Sequence, residues 1–170
     1  MDEKMIAAAC GALFGFALPY LASVWDRVRR AHRMVSALDR ELSEATADIE
    51  RKLAWVGRNA PEQPAEPDRL VETNGTRLYL GEREEFAVAR AYWKAKYAEI
   101  AEAVSDRDFS DFYVMHRLID KFEEKFREMK LAFDSSWGSK DAMALACLAD
   151  LTAISKELSN KLSRRPRGRT

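Results

Sequence analysis

The residues of this chain best suited to chemistry are His116, Asp120 and Glu123, with Glu124 beside them. Residues three and four apart share a helix face, so the imidazole and the carboxylates would sit one turn apart. Such a set is either an acid–base pair or the beginning of a metal site. It falls short of both. A metal centre takes about three or four convergent donors and an ordered second shell, and the only other histidine, His32, is remote in sequence. A helix-surface His–Asp pair that modestly stabilises its helix explains the spacing without a ligand. The chain has no glycine loop to cradle phosphate, no nucleophile elbow, no Cys-x-x-Cys and no HExxH. We therefore assign no catalytic, cofactor-binding or metal residue and expect no cofactor; a metal-binding helical enzyme built on His116, Asp120 and Glu123 stands as an alternative.

The elements that would position these side chains are helices. Phe112, Met115, Ile119, Phe122, Phe126, Met129 and Phe133 recur at three-to-four spacing. They predict a helix opened by Ser105-Asp106-Arg107-Asp108 as cap and closed near Ser135–Gly138, whose aromatic and Met stripe forms the centre of a core. A preceding helix over 82–104 would bury Phe86, Ala89, Trp93, Tyr97, Ile100 and Val104 and expose Arg90, Lys94, Lys96 and Glu99. Glu82, Glu84 and Glu85 would complement the dipole at its start. A following helix, capped by Ser139, carries Met143, Cys147, Leu151, Ile154, Leu158 and Leu162, so Cys147 reads as an inert core thiol rather than a nucleophile.

Ahead of these, Met5–Trp25 is a run of 21 residues without a charge, followed at once by Arg27, Arg29, Arg30 and Arg33. As a helix it would extend roughly 30 Å, the thickness of a bilayer's hydrocarbon core. The sequence thus predicts a single transmembrane helix. A cleaved signal peptide fits poorly, because the start lacks positive charge and the arginines would oppose export; a buried soluble helix is the other alternative. The arginines outweigh Lys4, so the positive-inside rule puts the N-terminus outside and the rest in the cytoplasm, with the four arginines at the membrane interface. Ala7, Gly11 and Gly15, four apart, form a small-residue face on which two helices could associate. Pro19, near the inner end, permits a mild kink.

Beyond the arginines, Val28, Ala31, Val35, Leu38, Leu42, Ala45, Ile49, Leu53 and Val56 predict a long amphipathic helix continuous with the anchor. Its stripe holds a heptad register, which serves either a coiled-coil homodimer or packing on the chain's own later helices, the reading we favour. Pro61, Pro64 and Pro67 mark a stiff connector. Asn74-Gly75, between β-formers at 70–73 and 76–80, signals a hairpin that must lie on the helices to persist. The expected organisation is an outer N-terminus at 1–4, a transmembrane helix at 5–25, a juxtamembrane helix at 26–57, a Pro-rich linker at 58–69, a helical domain at 70–163 packing with 26–57, and a basic disordered tail at 164–170. The fold class is all-α: a transmembrane helix followed by an antiparallel bundle of about four long helices.

Lys+Arg and Asp+Glu balance at 28 each, which disfavours nucleic acid as a general partner. The tail's arginines could instead meet anionic lipid headgroups. Cys10 and Cys147 are too far apart in character to pair, in keeping with a reducing compartment. The function expected is a non-enzymatic, membrane-anchored interaction or scaffold module whose partners are the bilayer, an unidentified protein, and a second copy through the transmembrane or juxtamembrane helix. An extracytoplasmic envelope stalk is the alternative; it resembles spanin-type proteins in layout only. If Ala7, Gly11 and Gly15 form an association face, replacing Gly11 and Gly15 by Leu lowers disulfide cross-linking through Cys10 in membranes. Unchanged cross-linking would leave the strip as ordinary lipid-facing surface.

Overall fold

The computed structural model describes residues 3–58, 70–73, 76–79, 87–134 and 140–165. The side chains of 3–10, 12–13, 55, 57–58, 134, 140–141 and both strands lie outside the described residues. Four helices, α1 (Glu3–Arg58), α2 (Ala91–Ala103), α3 (Asp106–Asp134) and α4 (Lys140–Arg164), are joined by a ribbon of β1 (Leu70–Thr73) and β2 (Thr76–Tyr79) between α1 and α2. The result is an α-helical bundle. Arg165, just after α4, pairs with Asp39 of α1 and Asp108 of α3, while Ser159 donates to Glu50 and Lys125 meets Asp150. Thus α1 and α3 run one way and α4 the other; α2 runs with α4, since Arg90 lies at Asp120 and Tyr97 at Phe109.

Helix α1 is one element of 56 residues that passes through Pro19 without interruption. At 1.5 Å per residue it is about 84 Å long. Its two halves differ in environment. Every residue from Phe14 to Arg30 is exposed, including Phe16 at 82 %, Trp25 at 68 % and Val28 at 61 %. Packing begins at Met34, which takes the first core position in place of the expected Val28, and continues through Leu38, Leu42, Ala45, Ile49 and Val56. The heptad stripe is thus spent on the chain's own α2 and α4. Among the described residues no helix is long and apolar enough to cross a membrane; Met5–Cys10, Ala12 and Leu13, the apolar half of the expected anchor, are outside them as side chains.

The α3 stripe is the centre of the core. Phe112, Met115, Ile119, Phe122, Phe126, Met129 and Phe133 are all buried. Ser105 caps the helix, its hydroxyl oxygen accepting from the Asp108 N–H at 3.2 Å and its O–H donating to the Asp108 carboxylate at 2.7 Å. On α4, Ala144, Cys147, Leu151 and Leu158 face this stripe. Met143 departs from expectation: it is half exposed, and the smaller Ala144 occupies the close approach instead.

The helix expected at 82–104 is shorter. It starts at Ala91, and residues 87–90 have no regular secondary structure, with Val88 and Arg90 buried and Ala87 and Ala89 exposed. Period two replaced the helical period there because the Val88 N–H is taken by Glu123 rather than by a helical carbonyl. Ala89 is therefore not on an apolar face and Arg90 is not exposed. Phe86, Glu82, Glu84 and Glu85 lie outside the described residues, as do the prolines of the linker and Ser139. The ribbon pairs Leu70 with Tyr79 and Thr73 with Thr76, the register of a two-residue turn, and β1 lies against α4 and β2 against α1. The expected basic tail is corrected at its start: Arg164 ends α4, and Arg165 is held inside the bundle; residues 166–170 lie outside the described residues.

Replacing Phe122 by Asp would place an unpaired charge in a fully buried site, at a cost of several kcal/mol, comparable to the whole stability of a domain. The variant is expected to lose cooperative thermal unfolding by circular dichroism. A soluble variant that still melts cooperatively would overturn this core.

Candidate functional site

The structure does gather Asp120 and Glu123, but around a cation supplied by another segment. The Arg90 side chain is 5 % exposed. Its Nη1 donates to Asp120 Oδ1 at 2.5 Å and its Nη2 to Glu123 Oε2 at 2.6 Å. The other Glu123 oxygen accepts the Val88 N–H at 2.8 Å. A guanidinium bridging two carboxylates is well matched in geometry, because its planar fork offers several parallel donors. The carboxylates that a metal would need are therefore committed to Arg90. Among the described residues, no group of three His, Cys, Asp or Glu side chains could hold a metal ion.

A third carboxylate completes the local order. Glu41 of α1 accepts the N–H groups of Tyr92 and Trp93 at 2.7 and 3.0 Å. These belong to the first turn of α2, whose own preceding residue makes no side-chain cap. A helix start leaves its first amides without intrahelical acceptors, and a carboxylate there also suits the dipole. The cap comes from 50 residues upstream, so it fastens α2 to α1 as Arg90 fastens the approach to α3.

His116 faces inward instead of joining the carboxylates. It is 2 % exposed and stacks on Trp93 with ring centroids 4.2 Å apart and planes within 10°. Neither ring nitrogen has a hydrogen-bond partner. Burial pushes its pKa down to about 4, with the Arg90 cation adding to the fall and Asp120 opposing it. A neutral imidazole there is a flat packing surface, continued by Phe109 and by Tyr97, which meets Trp93 edge-on. As general base or ligand it is unreachable.

The start of α3 meets another arginine centre. Arg165, with its side chain 7 % exposed, places Nε 3.3 Å from Asp39 and Nη2 3.2 Å from Asp108. Its guanidinium carbon is 3.4 Å from the Phe112 ring centroid, a stacked cation–π contact. Beside it opens a groove of about 240 Å³ lined by Arg107, Asp111, Val114 and Met115 of α3 and by Lys161, Arg164 and Arg165.

Of the other expected sites, Ala7 lies outside the described side chains. A Cβ on Gly11 or Gly15 would meet nothing within 4 Å, and Arg27, Arg29, Arg30 and Arg33 are exposed. Cys147 is buried, and burial raises its thiol pKa. Sequence reasoning missed Arg90, Glu41 and Arg165. Glu41 adjoins the apolar Leu38–Leu42 stripe, the one hint that it faced inward; the other two stand among ordinary surface arginines. No protein-family model, curated protein or solved structure matches the chain.

The His116 burial sets a pH dependence. Unfolded, the imidazole protonates near 6.5; folded, near 4. The folded state thus binds fewer protons between these values, and stability falls as pH drops from about 6.5 to 4, by on the order of 3 kcal/mol from this residue. Urea unfolding at neutral pH and near pH 4 should show this loss, and His116→Phe should lose correspondingly less. Equal losses in the two proteins would exclude His116 as the cause.

Proposed function

We propose that the protein is a membrane-anchored, non-enzymatic helical module, with the apolar start of α1 in the bilayer and the bundle in the cytoplasm as a docking or scaffold domain. The observation that carries this reading is the exposed half of α1. From Phe14 to Trp25 it presents Phe14, Phe16, Leu18, Tyr20, Leu21, Val24 and Trp25 to solvent on all sides. A helix apolar all round needs a protein core or a lipid phase to cover it, and the chain's own bundle begins only at Met34. The arginines at 27, 29, 30 and 33 directly follow, and Trp25 and Tyr20 are of the kind that settle at headgroup depth.

Several features support a binding role over catalysis. The conspicuous titratable side chains, Asp120, Glu123, Glu41 and His116, are engaged in holding helices together or in packing. The seam of α1 is occupied within the chain, so self-association would use the anchor face of Ala7, Gly11 and Gly15.

The test is topology. A reporter active on only one side of the membrane, fused to Thr170, combined with carbonate extraction, is expected to give a cytoplasmic and carbonate-resistant C-terminus. Release by carbonate would remove the anchor. An exported C-terminus would reverse the orientation and favour an envelope stalk.

A further inference from the structure

We infer that the groove between the first turns of α3 and the last turns of α4 is a binding site for a phosphate monoester. Four of its lining side chains are cationic, Arg107, Lys161, Arg164 and Arg165, against the single carboxylate of Asp111. Part of this charge has a structural use. Lys161 and Arg164 occupy the last turn of α4, where cations complement the helix dipole. Arg107 has no such use. It is the second residue of α3, at the positive end of that dipole, and it faces three more cations across the groove. Among the described residues neither Arg107, Lys161 nor Arg164 forms an ion pair with a carboxylate. Nearby acids are already committed: Asp108 and Asp39 hold Arg165.

Arg165, one of these four cations, adds a constraint of its own. Its side chain is more than nine-tenths buried in the groove wall, with Nε and Nη2 on carboxylates, and its Nη1 has no hydrogen-bond partner. A buried guanidinium nitrogen without an acceptor is costly. Like charges gathered without counter-ions cost stability as well. An anion with several acceptor oxygens relieves the crowding of the cations.

The lining selects among anions. Two exposed arginines and a lysine from two helices suit a tetrahedral dianion better than a planar carboxylate, which one arginine would satisfy. The volume of about 240 Å³ is below the roughly 300–1,000 Å³ of sites for drug-sized ligands, which suits a compact phosphate ester. Val114 and Met115 give its organic part an apolar wall, and Asp111 accepts a hydroxyl of the ligand. The shared chemistry is found in a soluble phosphate ester and in a lipid headgroup. The groove lies at the end of the bundle where α1 first packs, about 20 Å along α1 from Asp26, and the lipid source alone rests on the anchor reading above.

The experiment uses the full chain in a non-ionic detergent. Thermal shift and calorimetry would follow glycerol phosphate, and native mass spectrometry would count phosphatidic acid against phosphatidylcholine. The variants are R107Q/R164Q and, as a second lesion, K161Q; each changes exposed side chains and spares Arg165. Glycerol phosphate is expected to raise the melting temperature of the parent chain, and the double variant should bind at least tenfold more weakly, while its unliganded melting temperature is equal or higher. Variant-sensitive binding of glycerol phosphate alone assigns a soluble ester; variant-sensitive retention of phosphatidic acid assigns the headgroup. Binding of neither ligand, or binding untouched in both variants, overturns the site. A carbonate-released chain that still binds glycerol phosphate would remove the anchor and leave the groove standing.

Discussion

The buried Arg90 guanidinium is the contact on which the arrangement of the middle of the chain depends. Helix α2 has only 13 residues and buries just Trp93 and Ile100, less than an isolated helix of that length needs to persist in water. Its place is fixed from outside. Arg90 joins the segment leading into α2 to Asp120 and Glu123 of α3, and Glu41 of α1 holds the first amides of the helix itself. A buried cation must be matched in charge and geometry, since removing one partner leaves an uncompensated charge. The match therefore specifies one register of α2 against α3, where apolar packing alone would tolerate a slide.

Arg165 repeats this solution at the start of α3. It links α1, α3 and the end of α4 through Asp39, Asp108 and the Phe112 face. Around the two arginines the core is largely apolar, with Phe112, Ile119, Phe122 and Met129 fully buried. The division of labour is physical: non-directional burial supplies most of the stability, and the two directional centres choose which helices meet and where.

One helix then joins this bundle to the exposed apolar segment. Because α1 passes from Phe14 to Val56 without a break, the exposed segment and the Leu38–Ile49 seam belong to one continuous helix. The arginines from 27 to 33 occupy the span between the regions, exposed and clear of the bundle.

The sequence by itself determined the helices and their buried faces wherever periodicity was strong. The α3 stripe and the Leu38–Ile49 seam are legible in spacing, because a repeating apolar pattern has one burial solution, while the cap candidates Ser105–Asp108 and the Asn74-Gly75 signal marked the start of α3 and the ribbon by residue type. The seam's intramolecular use was legible too, since later stripes offered surfaces to cover it. Only the tertiary structure decided the roles of the charges. Arg90 and Arg165 look like any surface arginine, and Asp120 and Glu123 looked like ligands beside His116, until folding brought Arg90 to these two carboxylates and Arg165 to Asp108 and to the far more distant Asp39. Periodicity records where apolar groups go. It says nothing of which carboxylate will meet which cation, because that partner is chosen by the packing of distant segments and by the cost of burying either charge alone.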